Sequence, residues 1–287
     1  MISKNNFKNL IHKFSLKKLN EIKLYKNLHL NDECYLFGDG PSIKWFDLNN
    51  FNNKVGFTCG KIFYHKDYKK LNLKYLSIAE PFYFSPIFLM THKRSGGNYE
   101  DTKGKLILKK DPLICNIKKK ILNLNQISIF LNLSNFPFFL NKKNIIYLFK
   151  DIPNFQLIEN IYKNNLHPFQ GSMSFAIMIL IYMGFKKIHL VGFDYYFDQP
   201  ISGHWFEKGT GIKIELNDKK NELFFKLISD TVEIISITKD CKSRYTNSIE
   251  YSELCDNELK YRENSELCSE EDLNTFNQSA WHSYRIY

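Results

Sequence analysis

Gln170-Gly171-Ser172-Met173-Ser174-Phe175-Ala176-Ile177-Met178-Ile179-Leu180-Ile181-Tyr182-Met183-Gly184-Phe185-Lys186-Lys187-Ile188-His189-Leu190-Val191-Gly192-Phe193-Asp194-Tyr195-Tyr196 decides the fold. The apolar run 175–183 has the length of a buried helix, about half of what a bilayer crossing needs, and joining it to the next apolar piece would put Lys186 and Lys187 in mid-membrane. A soluble α-β unit follows. Ser172 is expected to cap the helix, Gly184 to end it, and Ile188–Val191 to form a strand buried on both faces, as in a parallel sheet. Ligands of open α/β sheets sit beyond the carboxyl ends of strands and at helix N-termini, which marks Gly171, Ser172, Asp194 and Tyr196 as candidate site residues.

Working outward, Glu33-Cys34-Tyr35-Leu36-Phe37 reads as the first strand and runs into Gly38-Asp39-Gly40-Pro41-Ser42. Two glycines allow a tight turn and close ligand approach. Pro41 suits a first helical turn, and Ser42 adds a hydroxyl beside N–H groups expected to be free for an anion. This is the pattern of a phosphate-binding strand-to-helix turn. It is neither the dinucleotide fingerprint, which needs a third glycine, nor a P-loop, which needs Gly-Lys-Ser/Thr.

Further strands are expected at 54–59, 73–79, 127–133, 144–149 and 231–237, with a helix at 219–228. The loop 93–98 is expected to be mobile, and Asp198–Gly211 reads as turn-rich and contains His204. The main domain spans 31–240, with a lid at about 195–218. Residues 241–287 read as an appendage of uncertain order.

The chain of 287 residues carries a formal charge of +10, from 40 basic and 30 acidic residues. The charge is uneven: residues 1–30 hold seven lysines and one glutamate, and 241–287 hold nine acids against five bases. The first thirty residues place apolar groups among lysines at helical spacing. That describes either a basic amphipathic segment for an anionic membrane surface or a helix packed on the domain. The lysines elsewhere fall in turns without aromatic interleaving, which argues against nucleic acid as a partner. Six cysteines form no C-x-x-C pair, so free thiols in a cytoplasmic protein are expected. No H-E-x-x-H or D-x-D is present, so no metal site and no cofactor are expected.

The turn at 38–42, together with Gly171-Ser172 and the run 185–196, resembles the bacterial lipooligosaccharide sialyltransferases of glycosyltransferase family 42. It is also similar to the related motility-associated nonulosonate transferases. The likeness covers about 33–240 and is sharp in these two motifs.

The resemblance implies a Rossmann-like, GT-A-type single domain with a parallel sheet and a small lid. It also implies a CMP-nonulosonate donor and inverting, metal-independent transfer. A cell-surface glycan or glycolipid is then the expected acceptor, the basic N-terminal segment would hold the cytoplasmic protein peripherally on the inner membrane, and a homo-oligomer is allowed. Gly38, Gly40 and Ser42 then match the nucleotide-phosphate turn, which includes Asp39 and Pro41. Ser172 matches the serine that holds the sugar carboxylate, and Tyr196 a lid tyrosine on the departing phosphate.

Gly60 stands where those enzymes carry Asn, Glu80 where an Asn-Pro pair is expected, and Ser202 where a second lid tyrosine falls. His204 is the candidate general base, with His167 and Glu207 as rivals; His189, within a strand, reads as structural. A same-fold transferase using another nucleotide sugar, a pyrophosphokinase-type relative, or a non-catalytic nucleotide-binding subunit of a glycan assembly complex are the alternatives.

Overall fold

A computed structural model describes residues 13–15, 17–85, 88–89, 106–107, 111–140, 142–148, 171–216, 219–255 and 259–279. The loop 93–98, His167 and the first twelve residues of the N-terminal segment lie outside this set.

In chain order the elements are β1 (Glu33–Phe37), β2 (Val55–Thr58), β3 (Leu73–Ile78), β4 (Phe88–Leu89), β5 (Leu106–Ile107), α1 (Pro112–Asn123), β6 (Ser128–Asn132) and β7 (Ile145–Leu148). Then follow α2 (Ser172–Met183), β8 (Lys187–Val191), β9 (Ile201–Ser202), β10 (Ile212–Lys213), α3 (Lys219–Ile228), β11 (Glu233–Thr238), β12 (Asn247–Glu250), α4 (Tyr251–Leu254), α5 (Asn264–Leu267) and α6 (Glu270–Gln278). Eight strands make one sheet in the order β12-β11-β8-β1-β2-β3-β6-β7, and every pair in it is parallel. The expected α/β class with a parallel sheet is what the chain forms. The strands read from the sequence are present within one or two residues of their expected ends.

Alternation along β1 divides the core. Cys34 and Leu36 join the apolar cluster on one face of the sheet, Tyr35 and Phe37 the cluster on the other. On the first face lies α2, apolar all round because the sheet, α3 and the N-terminal segment enclose it; ten of its residues are buried. Its large apolar side chains (Phe, Ile, Leu and Met) each contribute about 1.5–3 kcal/mol by leaving water. The helix ends at Gly184, whose φ of +94° is the left-handed conformation that glycine adopts without strain. Its start differs from expectation. Gly171, at φ +113°, occupies the cap position, and Ser172 is the first helical residue.

Part of the N-terminal segment is fixed to the domain. Ile22 is buried, Tyr25 donates its hydroxyl to Ser128 Oγ at 2.9 Å, and the N–H groups of Asn27, His29 and Asn31 bond to Tyr182, Met183 and Gly184 carbonyls. Leu24, Leu28 and Leu30 on the same segment are exposed.

Beyond residue 240, β12 pairs with β11 and continues the sheet. Tyr251, Leu267 and Phe276 are buried in the second-face cluster, with Tyr251 stacked on Phe46 at 4.7 Å. Lys120 of α1 meets Asp272 of α6 at 2.9 Å. The expected boundary at 240 thus falls between two paired strands of one sheet. All six cysteines are free; Cys34 and Cys268 are buried and Cys115 is exposed.

Candidate functional site

The strand order reverses at β1. The chain moves outward from β1 through β2, β3, β6 and β7, then returns to place β8 on the other side of β1. The carboxyl ends of β1 and β8 are therefore the topological switch point, where open α/β sheets hold ligands. The two sequence motifs end there, and they interlock.

Gly40 donates its N–H to the Gly192 carbonyl at 2.7 Å, and Ser42 donates its N–H to Asp194 Oδ2 at 3.1 Å. A Cβ on Gly40 would lie 1.7 Å from that carboxylate oxygen, and one on Gly38 would lie 2.5 Å from the Gly192 carbonyl. The glycines are thus required by the neighbouring loop, whatever else approaches them. This corrects the expectation of open N–H groups: those of Gly40 and Ser42 are already engaged. The buried Asp194 carboxylate stands as an internal anion at the start of the 3-10 turn Pro41–Trp45. Burial pushes its pKa up to about 6 against the stabilising pull of Ser42.

Asp39 leans the other way, toward β2. Its Oδ1 accepts the Lys61 N–H at 2.6 Å and the Trp205 indole N–H at 3.3 Å, and its Oδ2 pairs with the Lys61 ammonium at 3.1 Å. Burial disfavours its charge, but the Lys61 ammonium and then His204 outweigh burial and hold the carboxyl below its ordinary value. Gly60 lies against it: a Cβ there would come within 2.5 Å of Asp39 Oδ1.

His204 sits in the hairpin of β9 and β10, which folds over Pro41; a Cβ on Gly211 would reach within 2.8 Å of the proline ring. Glu207 grips the histidine twice. Its Oε1 is 2.7 Å from His204 Nδ1, and its Oε2 accepts the His204 N–H at 3.0 Å. The imidazole stacks on Phe206 at 4.8 Å, and the Lys61 ammonium lies 5.3 Å from the centre of that same ring.

Beneath the hairpin the fully buried Lys44 ammonium donates to the Glu207 and Gly209 carbonyls, each at 2.6 Å, and to Glu263 Oε1 at 2.9 Å. Burial would raise the Glu263 pKa, but the Tyr261 hydroxyl and Lys44 together bring it down to about 2.

On the far side of β1, the chain leaving β3 forms a turn at Glu80–Phe84. Asn135 holds it by donating to the Glu80 carbonyl at 3.0 Å and accepting from the Phe84 N–H at 3.1 Å. Ser172 donates its hydroxyl to Glu80 Oε1 at 3.2 Å. Desolvation pushes the partly buried Cys59 thiol far up, and Asp39 and Glu80 further disfavour its ionisation.

Tyr196 packs among Phe193, Tyr195, Phe225 and Tyr245, with ring centres 5.8–6.4 Å away. His189 bonds to Glu33 Oε2 at 3.1 Å inside the sheet, consistent with a structural role. Among the described residues no group of His, Cys, Asp and Glu side chains converges as a metal site.

The structure therefore brings Gly38, Asp39, Gly40, Pro41, Ser42, Gly60, Asp194 and His204 into one neighbourhood, and joins Ser172 to Glu80. Lys44, Lys61 and Trp205 were missed by the sequence reading. A lysine directly after the Cys59-Gly60 strand end was the one local signal for Lys61. Nothing local marked Lys44.

No protein-family model matches the chain, and no curated protein matches it. Among solved structures it is similar to a variant of the sialyltransferase CST-II in complex with CMP, at 14% identity over 86% of this chain and 99% of that chain, with a TM-score of 0.44. It is similar also to CST-II in complex with a trisaccharide acceptor and CMP, at 15% identity, the same coverage and a TM-score of 0.43. A third is CstII from Campylobacter jejuni in complex with cytidine-5'-monophosphate, at 14% identity over 87% of this chain and 99% of that one, with a TM-score of 0.38.

Proposed function

We propose that the chain is a glycosyltransferase that moves a sugar from a nucleotide ester to a hydroxyl of a cell-surface glycan, inverting and without a metal ion. The observation that carries the reading is the His204–Glu207 pair, held on a hairpin over Pro41 at the switch point of the sheet. In such a transfer the acceptor oxygen bonds to the anomeric carbon while the bond from that carbon to the phosphate oxygen breaks. The nucleotide leaves with the electron pair, and the acceptor proton passes to a base.

A tautomer protonated at Nδ1 donates to Glu207 and carries its basic lone pair on Nε2, the arrangement that suits His204 as that base. Lys61 is a cation of this neighbourhood whose charge is shared with Asp39, and Tyr196 is the phenol assigned to the leaving phosphate by the resemblance. Gly38–Ser42 shapes the nucleotide end. The sequence motifs nominate a CMP-nonulosonate as the donor. A further part of the reading is that the lysine-rich N-terminus brings the protein to the anionic inner membrane surface, where a glycolipid acceptor is built; among the described residues no helix is long and apolar enough to cross a membrane.

Nucleotide release from CMP-sialate, CMP-pseudaminate, CMP-Kdo and neutral nucleotide sugars, with and without acceptor, tests the activity. His204→Ala should lower kcat by at least about a hundredfold with donor affinity nearly intact, and should abolish a pH-rate limb. Glu207→Gln should shift that limb. Normal turnover in both variants would move the base elsewhere, and nucleotide binding without turnover of any donor would favour the non-catalytic subunit.

A further inference from the structure

Two positions where an incoming anion was expected already contain a carboxylate of the chain itself. Asp194 fills the start of the turn after β1 by accepting from Ser42. Glu80 meets Ser172 at the N-terminus of α2, a buried twelve-residue helix. The first is an enclosed group. The second is only partly buried, as is its serine, so a ligand can reach the pair.

Glu80 is also held in place. Its carbonyl is tied to Asn135, and the next turn residues are fixed by Phe82 N–H to Ser134 Oγ at 2.7 Å and Phe84 N–H to Asn135. Phe82 stands at φ +54°, a conformation costly for an aromatic residue, with its side chain 63% exposed. A turn that is clamped on both sides and strained at its tip fixes the Glu80 backbone beside α2, so its carboxylate leaves Ser172 only by rotating its own side chain and giving up the hydrogen bond to the serine hydroxyl.

We infer that the Ser172–Glu80 pair sets donor specificity, taking a hydroxyl or ammonium group of the sugar and rejecting a sugar that directs a carboxylate at Ser172. The inference rests on the glycosyltransferase reading and replaces the CMP-nonulosonate that the sequence motifs nominate with a neutral or amino sugar as donor. A carboxylate brought to hydrogen-bond distance of Ser172 Oγ meets the Glu80 oxygen 3.2 Å from that atom, and like charges so close repel strongly in a partly dehydrated site. A sugar hydroxyl or amine finds the reverse: Glu80 accepts from it, and the serine hydroxyl fixes its direction. The exposed Phe82 ring on the same turn offers an apolar surface beside that contact.

The test is a donor comparison on the full chain. The wild-type protein is expected to turn over neutral or amino-sugar nucleotides with a kcat/KM at least tenfold above that for CMP-sialate. Glu80→Gln should raise kcat/KM for CMP-sialate at least tenfold and lower it for the neutral or amino sugar, with the Glu80→Asp variant remaining close to wild type in ranking. Wild-type preference for CMP-sialate, or a Glu80→Gln variant whose donor ranking is unchanged, overturns the inference and leaves the transferase reading standing.

Should Glu80→Gln fail to fold, the affinities of the wild-type protein for CMP and for CMP-sialate decide the matter. The inference requires that the sialyl group add no affinity, and tighter binding of CMP-sialate than of CMP refutes it. Failure of every nucleotide and nucleotide sugar to bind overturns the transferase reading, and the inference falls with it.

Discussion

Replacing Lys44 by methionine tests how the hairpin that carries His204 is held. The Lys44 side chain is fully enclosed, and its ammonium binds the Glu207 and Gly209 carbonyls at 2.6 Å and Glu263 at 2.9 Å, beside the Tyr261 ring at 5.7 Å. Methionine keeps most of the volume and removes all three charged hydrogen bonds. Each is worth roughly 1.5–3 kcal/mol when a charged donor is deleted.

The sum is discounted because the Glu263 side chain is 37% exposed and its orphaned charge rehydrates. A net loss of about 3 kcal/mol is expected, lowering Tm by roughly 6–12 °C for a chain of this size. Urea denaturation gives the free energy directly. The same variant should lose kcat, because the Glu207 and Gly209 carbonyls define the hairpin backbone under the histidine. Adding Glu263→Gln should restore part of the stability by removing the unpaired charge. A change below about 0.5 kcal/mol with an unaltered pH-rate profile would show that the enclosed ammonium holds nothing under strain.

Position 40 in the turn after β1 should tolerate no side chain: Gly40→Ala places a Cβ 1.7 Å from Asp194 Oδ2 and should abolish nucleotide binding by calorimetry. Gly209→Ala, with nothing within 4 Å and a φ of +74°, should cost only about 1–2 kcal/mol; equal binding in the Gly40 and Gly209 variants would refute the argument. For Asp194 the folded pKa of about 6 exceeds the unfolded one, near 3.9. Its stabilisation is therefore complete below about pH 3.9 and is lost as pH rises through 6. Asp194→Asn should gain about 2 kcal/mol on the wild type between pH 4 and pH 7.5 in paired urea titrations, and a pH-independent difference would contradict this. Transfer should persist in EDTA; loss on chelation with recovery on adding magnesium or manganese would end the metal-free reading. Removing residues 1–18, while keeping the anchored Asn20–Asn31 segment, should release the protein from anionic vesicles and leave turnover on a soluble acceptor, and unchanged vesicle binding would reject the membrane role.

Legibility in the sequence followed the range of each interaction. Strands such as 187–191 and the enclosed helix 172–183 announce themselves because burial on both sides leaves a continuous apolar run with glycine at its end. The C-terminal part had no such signature. The short helices at 251–254 and 264–267 begin with Glu250 and Glu263, whose side chains complete capping boxes with Glu253 and Glu266. Glutamate at a cap position is an uncommon signal, so these segments read as acidic and irregular. These two short helices reach the core through Tyr251 and Leu267, with Leu254 and Cys268 beside them, too few positions to show a period in the sequence.

The site divides in the same way. The glycines of the turn at 38–42 were legible as a place needing close approach. That the approaching group is Asp194 came only with the fold, because the contact spans 152 residues. The Ser172–Glu80 contact, 92 residues apart, was equally hidden. A motif fixes backbone shape, which is local. The charge presented within that shape comes from whichever distant side chain the sheet order brings alongside. In this chain that charge is negative at both of the positions the motifs had marked for an anion, so motif and site electrostatics point to different ligands there, and substitution of Glu80 separates them.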